Sequence, residues 1–145
     1  MTDKLDKIVL IDDNEGDAIL LGVALDRISE NVDHNTFQSG EEALTQFKKW
    51  VDTDRLELPN LIILDLNMPG MDGIAVLKAL KQCECLSKVP VVVMTTSSLK
   101  HDIERSYFAG ANSVIVKPID FEKYVAAIDI LVQYWFKTVK TALCE

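Results

Sequence analysis

Cysteine is scarce in this chain, with three in 145 residues: Cys83, Cys85 and Cys144. An odd set without framework spacing excludes a disulfide-stapled secreted fold. Cys83 and Cys85 make a poor metal pair, because residues two apart on a helix point away from each other. No second Cys pair or nearby His supports them, so all three read as reduced thiols. Basic charge is short too: 15 Lys and Arg face 23 Asp and Glu, a formal net charge of −8. That balance argues against a nucleic-acid surface, which needs clustered cations to neutralise phosphates, and against an anionic membrane. Long apolar runs are missing. Leu61 to Leu64 and Val89 to Met94 are far too short to cross a bilayer, and the charged stretch from Met1 to Lys7 has no signal-peptide core. The expected location is the cytoplasm, with neither nucleic acid nor membrane as partner.

What is present is a regular alternation. Lys7-Ile8-Val9-Leu10-Ile11, Leu61-Ile62-Ile63-Leu64 and Val89-Pro90-Val91-Val92-Val93-Met94 are continuously apolar, the mark of strands buried on both faces of a parallel sheet. Ser113-Val114-Ile115-Val116 reads similarly, while a more polar run around Asp33 to Gln38 suits a sheet edge. Helical spacing fills the gaps. Ala18, Leu21, Leu25 and Ile28 form one stripe. Ala43, Leu44, Phe47 and Val51 form a second after an Ser39 N-cap, and Ile74, Leu77 and Leu80 a third. Ile103, Tyr107 and Phe108 mark a fourth, closed by Gly110. The last helix is expected from about 120 to 144, with Phe121, Tyr124, Ile128, Val132 and Trp135 inward and Ile130, Tyr134 and Phe136 partly off that stripe. The stretch from Asp52 to Asn60 reads as an ordinary surface loop. Residues 1–145 are expected to form one domain of α/β class, a (βα)5 doubly wound parallel sheet of five strands in the order 2-1-3-4-5.

Polar residues follow the apolar strands directly: Asp12-Asp13 the first, Asp65 the third, Thr95-Thr96 the fourth, Lys117-Pro118 the fifth. Ligands of open parallel sheets bind beyond the carboxyl ends of the strands, where strand order reverses. For this order the reversal lies between strands one and three, so Asp12, Asp13 and Asp65 are expected to converge. Clustered carboxylates repel one another, and Mg²⁺, an oxygen-seeking cation, relieves that. Such a site suits phosphoryl transfer, with Lys117 as a second cation, Thr95 as a hydroxyl donor and a carboxylate as acceptor. Taken singly, Asp12-Asp13-Asn14 could simply start a turn and cap a helix, and Thr95 could be an ordinary strand residue. Asp65 is harder to explain structurally, because an acid ending an apolar strand is costly without a partner. His34 and His101 fall outside the set and are expected at the surface.

The order Asp12-Asp13, Asp65-Leu66-Asn67-Met68-Pro69-Gly70-Met71-Asp72-Gly73, Thr95 and Lys117-Pro118 resembles the response-regulator receiver domain of two-component signalling, across nearly the whole chain. The resemblance implies a flavodoxin-like receiver fold and a stand-alone regulator. Asp65 would accept the phosphoryl group from a histidine kinase or phosphotransfer protein. Asp12, Asp13, Asp65 and the Asn67 carbonyl would hold Mg²⁺, while Thr95 and Lys117 would bind the phosphoryl oxygens. It further implies a cis peptide before Pro118, and a protein that catalyses only its own phosphotransfer and autodephosphorylation. Val114 stands where many receivers carry an aromatic, so switching is expected to reach the fourth helix by another route. The loop after the second helix and Tyr134-Trp135 resemble regulators paired with bacterial phytochromes, which implies a bacteriophytochrome kinase. A broad apolar surface on the last helix suggests a homodimer through helices four and five; the alternative is that its extra residues fold back on the core.

Three other functions are weighed. An aspartyl phosphatase needs a second acid two residues after its nucleophile, and Asn67 stands there. A flavin or nucleotide carrier needs a phosphate-cradling loop, whereas Asp12-Asp13-Asn14-Glu15-Gly16-Asp17 is acidic. A phosphate-independent pseudo-receiver is disfavoured by the full set of reactive residues.

Overall fold

The computed structural model describes residues 5–143. Cys144 and the end of the helix expected to reach 144 lie outside the described residues. Five strands, β1 (Asp6–Ile11), β2 (Val32–Phe37), β3 (Leu61–Leu64), β4 (Val91–Thr95) and β5 (Ser113–Val116), alternate with five helices, α1 (Glu15–Arg27), α2 (Gly40–Thr53), α3 (Gly73–Gln82), α4 (Lys100–Phe108) and α5 (Phe121–Val132). All strand pairs are parallel and the order is β2-β1-β3-β4-β5, as the alternation predicts. None of the described helices is long and apolar enough to cross a membrane.

Two cores follow from the two-residue period of the strands. Val9, Ile11, Ile62, Leu64, Val91 and Val93 face α2 and α3, where Phe47, Leu77 and Leu80 are fully buried. Ile8, Leu10, Leu61, Ile63, Val92 and Met94 face α1 and α5, against Leu21, Leu25, Tyr124 and Ile128. Burying one such Phe or Leu side chain contributes about 1.5–3 kcal/mol. Helix entries are fixed by side chains: Asn14, Ser39, Asp72 and Asp120 each cap the helix that follows.

Five expectations are corrected. The last helix is shorter than 120–144: α5 runs into a wider π turn at Gln133–Thr138, and 139–143 is not helical. The Thr138 hydroxyl donates to Gln133 O at 2.8 Å and Val139 N to Tyr134 O at 3.1 Å, so side-chain bonding competes with the α-helical ladder. Leu143 packs against the α2–α3 core, and Trp135 and Phe136 against the other. β5 is not doubly buried; as an edge strand it is half-exposed. The apolar residues that mark α4 do not form a buried stripe, for Phe108 is 95% exposed and only Ser106 is buried. The bond before Pro118 is trans, since no described peptide is cis; trans is the favoured form of an X–Pro bond by about 0.5–1 kcal/mol.

The loop from Asp52 to Asn60 is more than a surface connection. A 3₁₀ turn at Arg55–Glu57 buries Leu58. The buried Lys7 ammonium donates to Glu57 O at 2.8 Å and lies 4.2 Å above the Trp50 ring. An ammonium taken out of water needs such partners.

Candidate functional site

The register of the sheet builds the site. Ile11 pairs with Leu64 across β1 and β3, so the next residues, Asp12 and Asp65, leave the sheet side by side. Asp12 N donates to Phe37 O and Asp65 N to Ile11 O, both at 3.0 Å, which fixes the backbone beneath both carboxyl groups. Carboxylate oxygens of Asp12, Asp13 and Asp65 all lie within 4.8 Å of one another. Asp12 is buried, Asp65 half-buried and Asp13 exposed, a pocket closed at its floor and open to solvent at one acid.

The electrostatics match that placement. Burial pushes the Asp12 carboxyl up to about 7; Asp17 and Asp65 add to the rise, and the Asn14 backbone N–H opposes it. Burial also raises Asp65, against the backbone N–H of Asn67 and the charge of Lys117. Desolvation disfavours the charged form of an acid, and like charges do the same. A divalent cation with oxygen ligands offsets both effects, so this donor set fits Mg²⁺.

The loop after β3 is held from three sides. Leu66 and Met68 point inward and are buried, Gly73 N donates to Leu66 O at 3.0 Å, and Met71 N donates to Glu41 Oε1 at 2.9 Å. Gly70 has φ +74°, which an L side chain rarely adopts. Asn67 is exposed beside the trio, its N–H 3.4 Å from Asp65 Oδ1. Gly73 is required by proximity: a Cβ there would lie 2.5 Å from Asp65 O.

Thr95 ends β4, fully buried, and its hydroxyl accepts from Ser97 N at 3.2 Å. Lys117 N donates to Thr95 O at 2.7 Å, so the two come together after β4 and β5. The Lys117 ammonium, however, bonds to Asp17 and pairs with Asp12 at 3.7 Å. Asp17, in the first turn of α1, is the site residue that the sequence reading missed. Its only signal was a further acid in an acidic loop. Burial alone would raise its carboxyl, but hydrogen bonding with Asp12 and Lys117 holds it below the usual range. Tyr124 of α5 is buried nearby, its hydroxyl pushed up by burial and by the charges of Asp17 and Asp12. His34 and His101 are exposed, as expected.

Residues 8–129 match the family model of the response regulator receiver domain. The chain is 34% identical over 128 residues to the probable methanogenesis regulatory protein FilR2 of Methanothrix harundinacea, covering 88% of this chain and 82% of that one. It is 31% identical over 134 residues to response regulator Rcp1 of Synechocystis, covering 91% and 90%. The crystal structure of the Mn²⁺-bound form of Rcp1 superposes with a TM-score of 0.81 over 94% of this chain and 98% of that one. The phosphorylated cyanobacterial phytochrome response regulator RcpA, 30% identical, superposes with a TM-score of 0.86 over 95% and 99%.

Proposed function

The chain belongs to the response-regulator receiver family, and from that premise we propose that Asp65 accepts a phosphoryl group in a Mg²⁺-dependent reaction. The observation that carries this reading is the convergence of Asp12, Asp13 and Asp65 at the point where strand order reverses. Asp12, Asp13, Asp65 and the Asn67 carbonyl would hold the cation. When bound, it neutralises charge on the moving phosphoryl oxygens and orients the acceptor. An Asp65 oxygen attacks phosphorus, the N–P bond of a donor phosphohistidine breaks, and the histidine nitrogen takes up a proton. Thr95 donates its hydroxyl to one phosphoryl oxygen, and the Lys117 ammonium pairs with another. Water later attacks the acyl phosphate and regenerates Asp65, so the chain turns over only its own modification.

The donor in this reading is a sensor histidine kinase or a phosphotransfer protein. Likeness to RcpA, a phytochrome response regulator, supports a bacteriophytochrome as that kinase. Tyr107 and Phe108 of α4, Val116 at the end of β5, and Ile119, Ile130 and Tyr134 are large exposed apolar residues, which supports self-association through α4 and α5. A monomer by light scattering at high protein concentration would remove the dimer from the reading.

Incubation with Mg²⁺ and acetyl phosphate, read by intact mass, tests the central step. A phosphate-sized gain is expected, abolished by Asp65→Asn and by EDTA. A gain that survives Asp65→Asn would move the acceptor elsewhere.

A further inference from the structure

We propose that Asp17 is a positioning residue that holds the Lys117 ammonium at the Asp12 edge of the acid trio, out of ion-pair range of Asp13 and Asp65, so that the trio can take a divalent cation. The inference rests on the metal reading above and deepens it.

Local structure fixes Asp17. Asn14 caps α1, and its side-chain oxygen accepts from Gly16 N at 2.8 Å and Asp17 N at 3.3 Å, while Asn14 O also accepts from Asp17 N at 3.1 Å. Asn14 N in turn donates to Asp12 Oδ1 at 2.9 Å. This chain of bonds folds the first turn of α1 back over the end of β1. The Asp17 carboxylate thereby meets an ammonium 100 residues away in sequence.

Only the position of Lys117 distinguishes two electrostatic outcomes. Among the described residues, its ion pairs are with Asp17 and Asp12, and Asp65 is not among them. The Asp17 carboxylate is outside the set that converges within 4.8 Å, so it holds the cationic side chain without occupying a place in the trio. Both side chains are largely shielded, Lys117 at 15% and Asp17 at 20% exposure, where unlike charges attract more strongly than in water. Without the Asp17 charge, the ion pair left to Lys117 among the described residues is the one with Asp12, a member of the trio. With nothing to tether it on the far side, the ammonium would compete more strongly with a metal for the trio. Glu15 already supplies an acid to the first turn of α1, so favourable interaction with the helix dipole does not by itself require Asp17.

A double-mutant cycle on the full chain tests this, with Mn²⁺ uptake read from the free-ion electron paramagnetic resonance signal and folding checked by circular dichroism. Asp17→Asn should weaken Mn²⁺ binding roughly tenfold in the wild-type background, and less than about threefold in a Lys117→Met background. Lys117→Gln replaces Lys117→Met if the latter unfolds. If the loss is the same in both backgrounds within about threefold, Asp17 does not act through Lys117 and the proposal is overturned. Wild-type protein that binds no Mn²⁺ would overturn the metal reading and this inference with it. Wild-type binding with an unaffected Asp17→Asn variant would overturn the inference alone.

Discussion

Ser97 donates its hydroxyl to Asp102 Oδ2 at 2.7 Å. The same serine donates its backbone N–H to the Thr95 hydroxyl at 3.2 Å and accepts from Leu99 N at 3.3 Å. A continuous polar path thus joins the buried end of β4 to the first turn of α4. That helix buries only Ser106, whose hydroxyl donates to Asp102 O at 2.8 Å. With so little apolar burial, these polar bonds are a large share of what seats α4 on the sheet.

Ser97→Ala should therefore loosen α4 more than it lowers global stability. The expected cost is about 1 kcal/mol for the lost bond, with amide exchange accelerated across 100–108. Unchanged protection there would remove Ser97 from the seating of the helix.

Val114 should keep its rotamer when a beryllofluoride adduct forms on Asp65, while the Ser97–Asp102 contact changes. Val114 lies on the edge strand, its N–H donating to the Tyr107 hydroxyl of α4 at 3.1 Å. A β-branched side chain has few χ1 states to exchange. Paired structures with and without the adduct check this; a concerted Val114 flip and α4 repacking would contradict it.

Two glycine-to-alanine substitutions should act with opposite sign. At Gly73 a Cβ would sit 2.5 Å from Asp65 O and 2.7 Å from Leu66 Cα. Relief requires moving the backbone that carries the acceptor, so a loss of about 1–3 kcal/mol and slower acetyl-phosphate labelling are expected. At Gly22, inside α1, the Cβ meets only the His34 ring at 3.5 Å. Removing glycine from a helix interior there should stabilise by about 0.5–1 kcal/mol. Urea unfolding measures both.

Without metal, stability should fall as pH rises from about 4 to about 7. Asp12 is raised from 3.8 to about 7, so within that window the folded chain holds a proton that the unfolded chain has released. The stabilisation is complete below the unfolded value and is lost through the folded one. Asp65, also raised by burial, acts in the same direction. Asp17, held below its usual value, contributes stability above the unfolded value that is lost only as pH falls below it. Mg²⁺ should reverse the trend, because the cation must displace the Asp12 proton and binds more tightly as pH rises. Thermal melts at pH 5 and pH 7.5, with EDTA and with Mg²⁺, read both effects; a metal-free melting temperature that rises across the window would contradict the Asp12 assignment.

The alternation of strands and helices, the strand order and the acid trio could all be read from the chain. Each rests on a local pattern: four or five apolar residues that must be buried on both faces, a helical stripe, or an acid placed directly after a strand. Register then carries Asp12 and Asp65 to the same level without further information. Tertiary structure decided what those patterns leave open. Asp17 and Lys117 meet across 100 residues, and no periodicity specifies which of several nearby acids an ammonium will choose. Phe108 is a strong apolar signal on α4 yet is 95% exposed, because only packing determines which side of a short helix finds the core. The last helix ends where Thr138 turns its hydroxyl onto Gln133 O and Leu143 reaches the core. Burial needs are written into neighbouring residues, whereas the partner of each charge and the end of each helix depend on which distant groups the fold brings within bonding range.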